Sequence, residues 1–331
     1  MPTLYLTEQG SVLHREQQRL VVEKNRQVLL SLPAFQVERV LVFGHVQVTT
    51  QALSLLLQQG SEISFLTQYG RLKGRVLPLE SKNLPLRLAQ YERSKDEQFK
   101  LALAKAIVYG KIKNARTFLM KHDRSHNDLS LTAEAAALES SMQTVAQQDS
   151  LETVRGVEGQ AAAVYFRALT RMLRRAVDFH GRTRQPPRDP VNALLSLGYT
   201  LLGNELLAVL SAQGFDPYLG FLHGISYGRP SLALDLLEEF RAPVVDRLTL
   251  ALFNLAVLTP DDFQSHPQGG VTLKPKPLKR YLREYEEHLN RPFKNPATGQ
   301  QTSFRRLLTI QARKLARVVK EGGEYEPFWS K

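Results

Sequence analysis

The hydrophobic period of this chain changes once, near residue 79, and that change sets what it can fold into. Before it, apolar residues alternate with polar ones at Leu4/Leu6, Leu20/Val22, Val28/Leu30/Leu32, Val40/Val42 and Ile63/Phe65, the pattern of half-buried strands. Turn-forming clusters at Gln9-Gly10-Ser11, Glu23-Lys24-Asn25 and Tyr69-Gly70 divide these strands, and residues 51–57 interrupt them as a short helix. After it the period is that of a helix. The pattern predicts helices over 86–121, 131–147, 158–174, 192–213, 231–240, 243–257, 278–290 and 303–320. The expected fold class is therefore α+β with two domains. A small N-terminal β-sandwich covers 1–78, LESKNLP at 79–85 is a linker, and a larger all-α domain covers 86–331. Segments 181–190 (GRTRQPPRDP) and 260–277 read as loose, and neither an internal repeat nor a heptad array is visible.

Composition narrows the function classes. The chain has no cysteine, which excludes disulfides, thiolate zinc sites and cysteine nucleophiles. No unbroken apolar run reaches the roughly 18 residues of a membrane span, and the N-terminal MPTLYLTEQG lacks the layout of a signal peptide. A soluble, cytoplasmic protein with no membrane partner is the expectation. Lys and Arg number 44 against 32 Asp and Glu, a net charge of +12. That excess favours a polyanionic partner, nucleic acid foremost.

Two segments carry candidate chemistry. On the helix through RGVEGQAAAVYFRALTRMLRR, Glu158 shares a face with Ala161, Ala162, Tyr165, Leu169 and Met172, while Arg167, Arg171 and Arg174 lie opposite. An inward carboxylate needs a partner, either a salt bridge to a core Arg or a bound cation. In LHGISYGRPSLALDLLEEFRAPVVDRL, Ser231 reads as an N-cap, and Leu232, Leu236, Leu237 and Phe240 form one arc of a helix. Asp235, Glu238 and Glu239 then fall on the other side, as on an ordinary solvated face. His223 reads either as a packed histidine or as a ligand. Taken together, Glu158, His223 and the Asp235/Glu238 pair come from separate segments, as in sites built between packed helices. Two carboxylates and an imidazole suit Mg²⁺ or Mn²⁺ acting on phosphate, with zinc still open. His14 and His45 lack acidic companions at ligand spacing and read as structural.

The helix from Phe304 buries Phe304, Leu307, Leu308, Leu315 and Val319 and turns a basic stripe outward at Arg306, Arg313, Arg317 and Lys320. Such a stripe is either a solvated face or a DNA contact. RMLRRAV and LKPKPLKRYLR are similar candidates.

Three motifs in order, EGxAAxxYF at 158–166, PVNALLSLGYTLL at 190–202 and LHG…RPSLALDLLEEFR at 222–241, resemble the CRISPR-associated adaptation integrase, the metal-dependent DNase that inserts new spacers. The resemblance extends over essentially the whole chain. It implies that Glu158, His223 and Glu238 ligate the metal, that Asp235 orients the site or the DNA, and that Tyr165 lies near the active centre. Arg241 would face a phosphate, whereas Glu239 would be solvated. It implies joining of the 3′-hydroxyl ends of spacer DNA to the CRISPR repeat by transesterification. It also implies a homodimer formed through the β domain, and a heterohexamer with a small ferredoxin-like adaptation protein. Two other readings use the same residues: a stand-alone nuclease for branched DNA, and a basic nucleic-acid-binding protein without catalysis.

Overall fold

The structure, a computed structural model, describes residues 3–79, 83–125, 130–175, 177–183, 186–266 and 269–330. Parts of the linker (80–82) and of the two segments read as loose (184–185, 267–268) lie outside the described residues. The chain divides into two units, Met1–Glu80 with Pro275–Leu282, and Ser81–Lys274 with Arg283–Lys331.

The first unit holds eight strands, β1 Thr3–Leu6, β2 Val12–Glu16, β3 Arg19–Lys24, β4 Gln27–Pro33, β5 Arg39–Phe43, β6 Gln47–Val48, β7 Glu62–Leu66 and β8 Leu72–Val76, with helix α1 Thr50–Gln58 before β7. They form two four-stranded sheets, ordered β1-β5-β7-β8 and β4-β3-β2-β6. Leu13, Leu20 and Val22 from one sheet, Val40, Val42 and Ile63 from the other, and Ala52, Leu55 and Leu56 from α1 share one core. The β3–β4 hairpin turns on Asn25 and Arg26, both at positive φ (51° and 63°), as a tight two-residue turn requires. Two expectations need correction here. Half-burial fails at β5, where all five residues are buried because the strand is central and pairs in parallel with β1 and β7. It fails in the other sense at edge strand β4, where Val28, Leu29 and Leu30 are 56%, 45% and 41% exposed.

The second unit carries α2 Leu84–Arg93, α3 Glu97–Ser125, α4 Thr132–Ala146, α5 Leu151–Met172, α6 Pro190–Gln213, α7 Ser231–Leu237 and α8 Arg247–Asn254. Helix α9, Pro275–Asn290, contributes its second half, and α10 is Phe304–Glu321. The expected helix over 86–121 breaks because Asp96 accepts the N–H of Phe99 (3.0 Å) and so caps a new helix. Helix α5 starts earlier than periodicity suggested, at a Ser150 cap on Thr153 N–H. The unit is not purely helical: strands β9 Phe263–Ser265 and β10 Val271–Leu273, then β11 Phe293–Lys294 and β12 Gln301–Thr302, close two small hairpins. The first hairpin orders much of 260–277, and the described part of 181–190 is tied down by Asn192, which donates to Gly181 O (2.8 Å) and accepts from Thr183 N–H (2.9 Å).

Helix α6 is the core of this unit. It is long and apolar enough to cross a membrane, with a mean hydropathy of 1.5 in its best window, although residues such as Ser196, Asn204 and Glu205 interrupt the apolar run. Most of that window is packed against protein, and an all-round apolar helix is equally the signature of a core helix. Asp189 caps its start by accepting Asn192 N–H, and Gly214 ends it at φ 105°.

Candidate active site

Asp235 organises the site. Its carboxylate is fully buried, and it accepts the backbone N–H groups of Phe221 (2.6 Å), Leu222 (3.0 Å) and His223 (2.9 Å), so the loop wraps around it. Gly220 permits that approach, since a Cβ there would lie 2.8 Å from Asp235 Oδ2. Arg155 on α5 ties the loop from the far side, donating from Nε to Leu222 O (2.9 Å). His223 Nδ1 stands 2.6 Å from Asp235 Oδ1. A carboxylate oxygen accepts, so Nδ1 donates to Asp235, which leaves Nε2 on the side of Glu238 (Nε2 to Oε1, 4.0 Å).

The solvated-face reading of this segment is overturned. Asp235 and Glu239 are 0% exposed and Glu238 4%. Ser231 is not an N-cap; α7 begins with it, and its hydroxyl donates to Gly224 O (3.0 Å). The helix predicted over 231–240 stops at Leu237, and residues 241–246 form a wider π turn that carries Pro243, whose missing N–H leaves no donor for a regular turn. That turn sets Arg241 Nε 2.9 Å from Glu238 Oε2.

Lys111, on α3, links the carboxylates of Glu158 and Glu238. Its ammonium pairs with Glu158 Oε1 and lies 2.6 Å from Glu238 Oε2. The partner of Glu158 is thus a lysine and not the arginine that a structural salt bridge suggested. Burial by itself would raise the Glu238 pKa, but Arg241, Lys111 and His223 outweigh it and hold the group down to about 2. Glu158 is more open, with 26% of its side chain exposed.

Tyr165 stands one layer behind. Its hydroxyl donates to Asp246 Oδ2 (2.8 Å), and Tyr199 donates to Asp246 Oδ1 (2.5 Å). Burial raises both phenols well above their usual range and lifts Asp246 to about 6 despite these donors. The Arg241 guanidinium lies 4.4 Å from the Tyr199 ring centroid, so this network also steadies the arginine beside Glu238. A cavity of about 50 Å³ adjoins these groups, lined by Lys111, Glu158, Tyr165, Tyr199, Arg241 and Asp246 among others.

Glu239 points away from the site into a strap made by residues 325–330. It accepts from Tyr325 OH (2.5 Å), Gln311 Nε2 (3.0 Å) and Phe328 N–H (2.7 Å), while burial, the larger influence, lifts its pKa to about 7. Asn114, one turn beyond Lys111, donates to Glu239 O and Phe328 O and accepts from Ser330 N–H. Gly110 lets the strap lie flat, because a Cβ there would meet Pro327 Cβ at 2.6 Å.

The sequence-predicted residues Glu158, His223, Asp235, Glu238 and Arg241 are therefore brought together, with Tyr165 behind them. Arg306, Arg313, Arg317 and Lys320 are all exposed along α10 and are not among the groups that build this cluster. Sequence reasoning missed Lys111, Asn114, Arg155, Tyr199 and Asp246. The available signal was Asn114, a polar residue among Ile107, Val108, Ile112, Ala115 and Leu119 on a face that proves buried. His14 pairs with Glu23 (3.3 Å), a nearby acid that sequence spacing did not reveal.

Among the described residues no three His, Asp or Glu side chains stand together as a ready metal cluster. The donor chemistry still fits a hard cation: Glu158 and Glu238 already share one cation, the Lys111 ammonium, and His223 turns Nε2 toward Glu238.

The relatives agree with one another. The chain is 38% identical over 332 residues, 98% of its length and 96% of the relative's, to CRISPR-associated endonuclease Cas1 3 of Thermus thermophilus. A casposase bound to its integration product superposes with a TM-score of 0.88 at 23% identity, covering 100% of this chain and 95% of that one, which is a likeness of fold. A Cas6-RT-Cas1–Cas2 complex superposes with a TM-score of 0.84 at 25% identity, covering 100% of this chain and 36% of that one. The family model for CRISPR associated protein Cas1 matches residues 4–287, and the chain belongs to that family.

Proposed function

We propose that this protein is a metal-dependent DNA endonuclease and integrase of CRISPR adaptation, joining the 3′-hydroxyl ends of new spacer DNA to the repeat by transesterification. The observation that carries this reading is the bridging of Glu158 and Glu238 by one cationic group, with His223 Nε2 4.0 Å from Glu238. Glu158, Glu238 and His223 would hold Mg²⁺ or Mn²⁺. When bound, such an ion supplies charge stabilisation to a phosphodiester undergoing in-line displacement.

The remaining chemistry belongs to the protein. Asp235 keeps the His223 proton on Nδ1 and the ring fixed, so Nε2 is available as a ligand. Arg241 and Lys111 place positive charge where a scissile phosphate would accumulate negative charge. Tyr165 is not poised as a protein nucleophile, since its hydroxyl is committed to Asp246 and held protonated. The exposed Arg306, Arg313, Arg317 and Lys320 would grip DNA phosphates without reading sequence.

The assembly is proposed on related grounds. Strand β4 is an apolar sheet edge, with Phe35 just beyond it 74% exposed, and suits pairing with a second copy. The Cas6-RT-Cas1–Cas2 complex holds Cas1 together with Cas2, which supports a protein partner here; on the family resemblance, that partner would be a small ferredoxin-like protein in a heterohexamer. We place the complex in the cytoplasm with the DNA it processes.

The test is strand transfer of a short 3′-hydroxyl duplex into a supercoiled plasmid carrying the repeat, with Mn²⁺, with and without the small partner. Joined product from wild type and none from His223→Ala is the expected result. Equal activity in the mutant, or DNA binding by both without joining or cutting, would leave a nucleic-acid-binding protein. Cutting of branched DNA that needs neither repeat nor partner would favour the stand-alone nuclease.

A further inference from the structure

Lys111 sits where a metal would go. Its ammonium is shared between Glu158 Oε1 and Glu238 Oε2, the two carboxylates assigned above to the divalent ion, and only 18% of its side chain is exposed. Each carboxylate has a second oxygen, but an ion bound between them would lie against the ammonium, a like charge, and is repelled while the ammonium stays. Once the ammonium turns away, its charge needs another anion to face.

The surroundings limit what that anion is. Arg241 approaches the same oxygen of Glu238, Oε2, that Lys111 does, and Asp246 is committed to two tyrosine hydroxyls. The cavity beside Lys111 is lined by apolar groups such as Ile112, Ala161 and Phe166, and among its lining residues the one carboxylate besides Glu158, that of Asp246, is already engaged. The compensating anion therefore comes from outside the protein, and in a site that handles DNA it is a phosphodiester.

We propose that Lys111 is an internal counter-cation that keeps the site closed to metal until DNA arrives. In the free protein it holds Glu158 and Glu238 together and competes with the divalent ion. When DNA binds, the ammonium transfers to a backbone phosphate, the carboxylates are released, and metal affinity rises. By linkage, metal must strengthen DNA binding by the same factor. Lys111 is thus a positioning residue that couples two ligands, and the free protein is protected from metal-driven cutting. The inference rests on the assignment of the metal to Glu158 and Glu238.

The experiment is calorimetric titration of Mn²⁺ into the full chain, with no turnover in the readout. Wild type, Lys111→Ala, Lys111→Met and Glu158→Gln are compared, each alone and with a short duplex ending in a 3′-dideoxynucleotide. Lys111→Met keeps the aliphatic stem, so packing against α5 survives if alanine proves too disruptive. Both Lys111 variants are expected to bind Mn²⁺ about tenfold more tightly than wild type or better, the scale on which a neighbouring charge biases a carboxylate. The duplex is expected to tighten Mn²⁺ binding to wild type by a similar factor and to leave the Lys111 variants nearly unchanged. Equal or weaker Mn²⁺ binding by both Lys111 variants, with binding still lost in Glu158→Gln, overturns the counter-cation role and leaves the metal site standing. Wild-type Mn²⁺ binding in Glu158→Gln overturns the metal assignment and this inference with it.

Discussion

Asp235 holds His223 twice through one oxygen, which meets the ring Nδ1 at 2.6 Å and the backbone N–H of the same residue at 2.9 Å. With Phe221 and Leu222 donating to the other oxygen, the loop position and the ring orientation have a single origin. Asp235→Ala leaves three N–H groups without their acceptor in a buried place and is expected to cost about 3 kcal/mol or more in urea unfolding. Asp235→Asn retains the shape but not the charge that fixes the imidazole proton, and a loss of roughly 10- to 100-fold in Mn²⁺ affinity is expected. An alanine variant as stable as wild type would refute the organising role.

Tyr165→Phe separates support from chemistry. It removes one of the two phenol donors to Asp246, so a stability loss of about 1–2 kcal/mol is expected. Strand transfer should fall less than about tenfold, because Tyr199 still holds Asp246 and Arg241 still faces Glu238. Single-turnover kinetics, together with a denaturing gel for DNA-linked protein, decide the matter. A covalent adduct in wild type that vanishes in the variant would make Tyr165 a nucleophile.

The stripe on α10 is checked by salt. Replacing Arg306, Arg313, Arg317 and Lys320 by alanine should flatten the plot of log DNA affinity against log salt by up to about 3.6, close to 0.9 for each phosphate no longer neutralised. These four side chains are exposed, so the melting temperature should barely move. An unchanged slope removes α10 from the DNA interface.

His288 gives the fold an acid-sensitive point. Burial, the main cause, with Arg247 and Arg291 nearby, lowers its pKa to about 4, although its ring nitrogen has a partner in Pro243 O (3.1 Å). The folded value lies below the unfolded value of about 6.5, so the unfolded chain binds the extra proton first. Stability from this group is intact above about pH 6.5, falls as pH drops toward 4, and is exhausted below that. The full span is worth about 3 kcal/mol. Thermal melts of wild type and His288→Gln over pH 4–7.5 should show a shallower acid decline in the variant. Parallel curves would count against it.

What was legible in the sequence follows from which forces are local. Alternation along β1–β8 and the 3.6 period after residue 84 come from burial of one face, and single segments display them. Parallel pairing of β5 with β1 and β7 is a matter of which distant strands meet, so the uniform burial of β5 did not show in its own residues. Glu158 was found because a carboxylate facing inward needs an explanation wherever it occurs, whereas the periodicity of the His223 to Glu238 segment suggested a solvated face and only its family resemblance pointed to the site. Glu239 was misplaced for the opposite reason. Its burial depends on Tyr325, Gln311 and Phe328, which are remote in sequence, and helical projection of residues 231–240 could not include them. Lys111 was hidden in the same way, as one lysine among several on a long helix until α5 and α7 packed against it.

The strap also has a bearing on synthesis. Phe328 O accepts from Asn114 across a separation of 214 residues, and the same stretch seats Glu239 directly behind Glu238. Ribosomes deliver the chain from its N-terminus, so α3, α5 and α7 are all outside the exit tunnel before residues 325–330 exist to lock them. A nascent chain thus carries every proposed metal ligand for some time without the backing that sets their spacing. The spacing of these groups is thereby set only once the strap has emerged and docked, later than the helices that carry them.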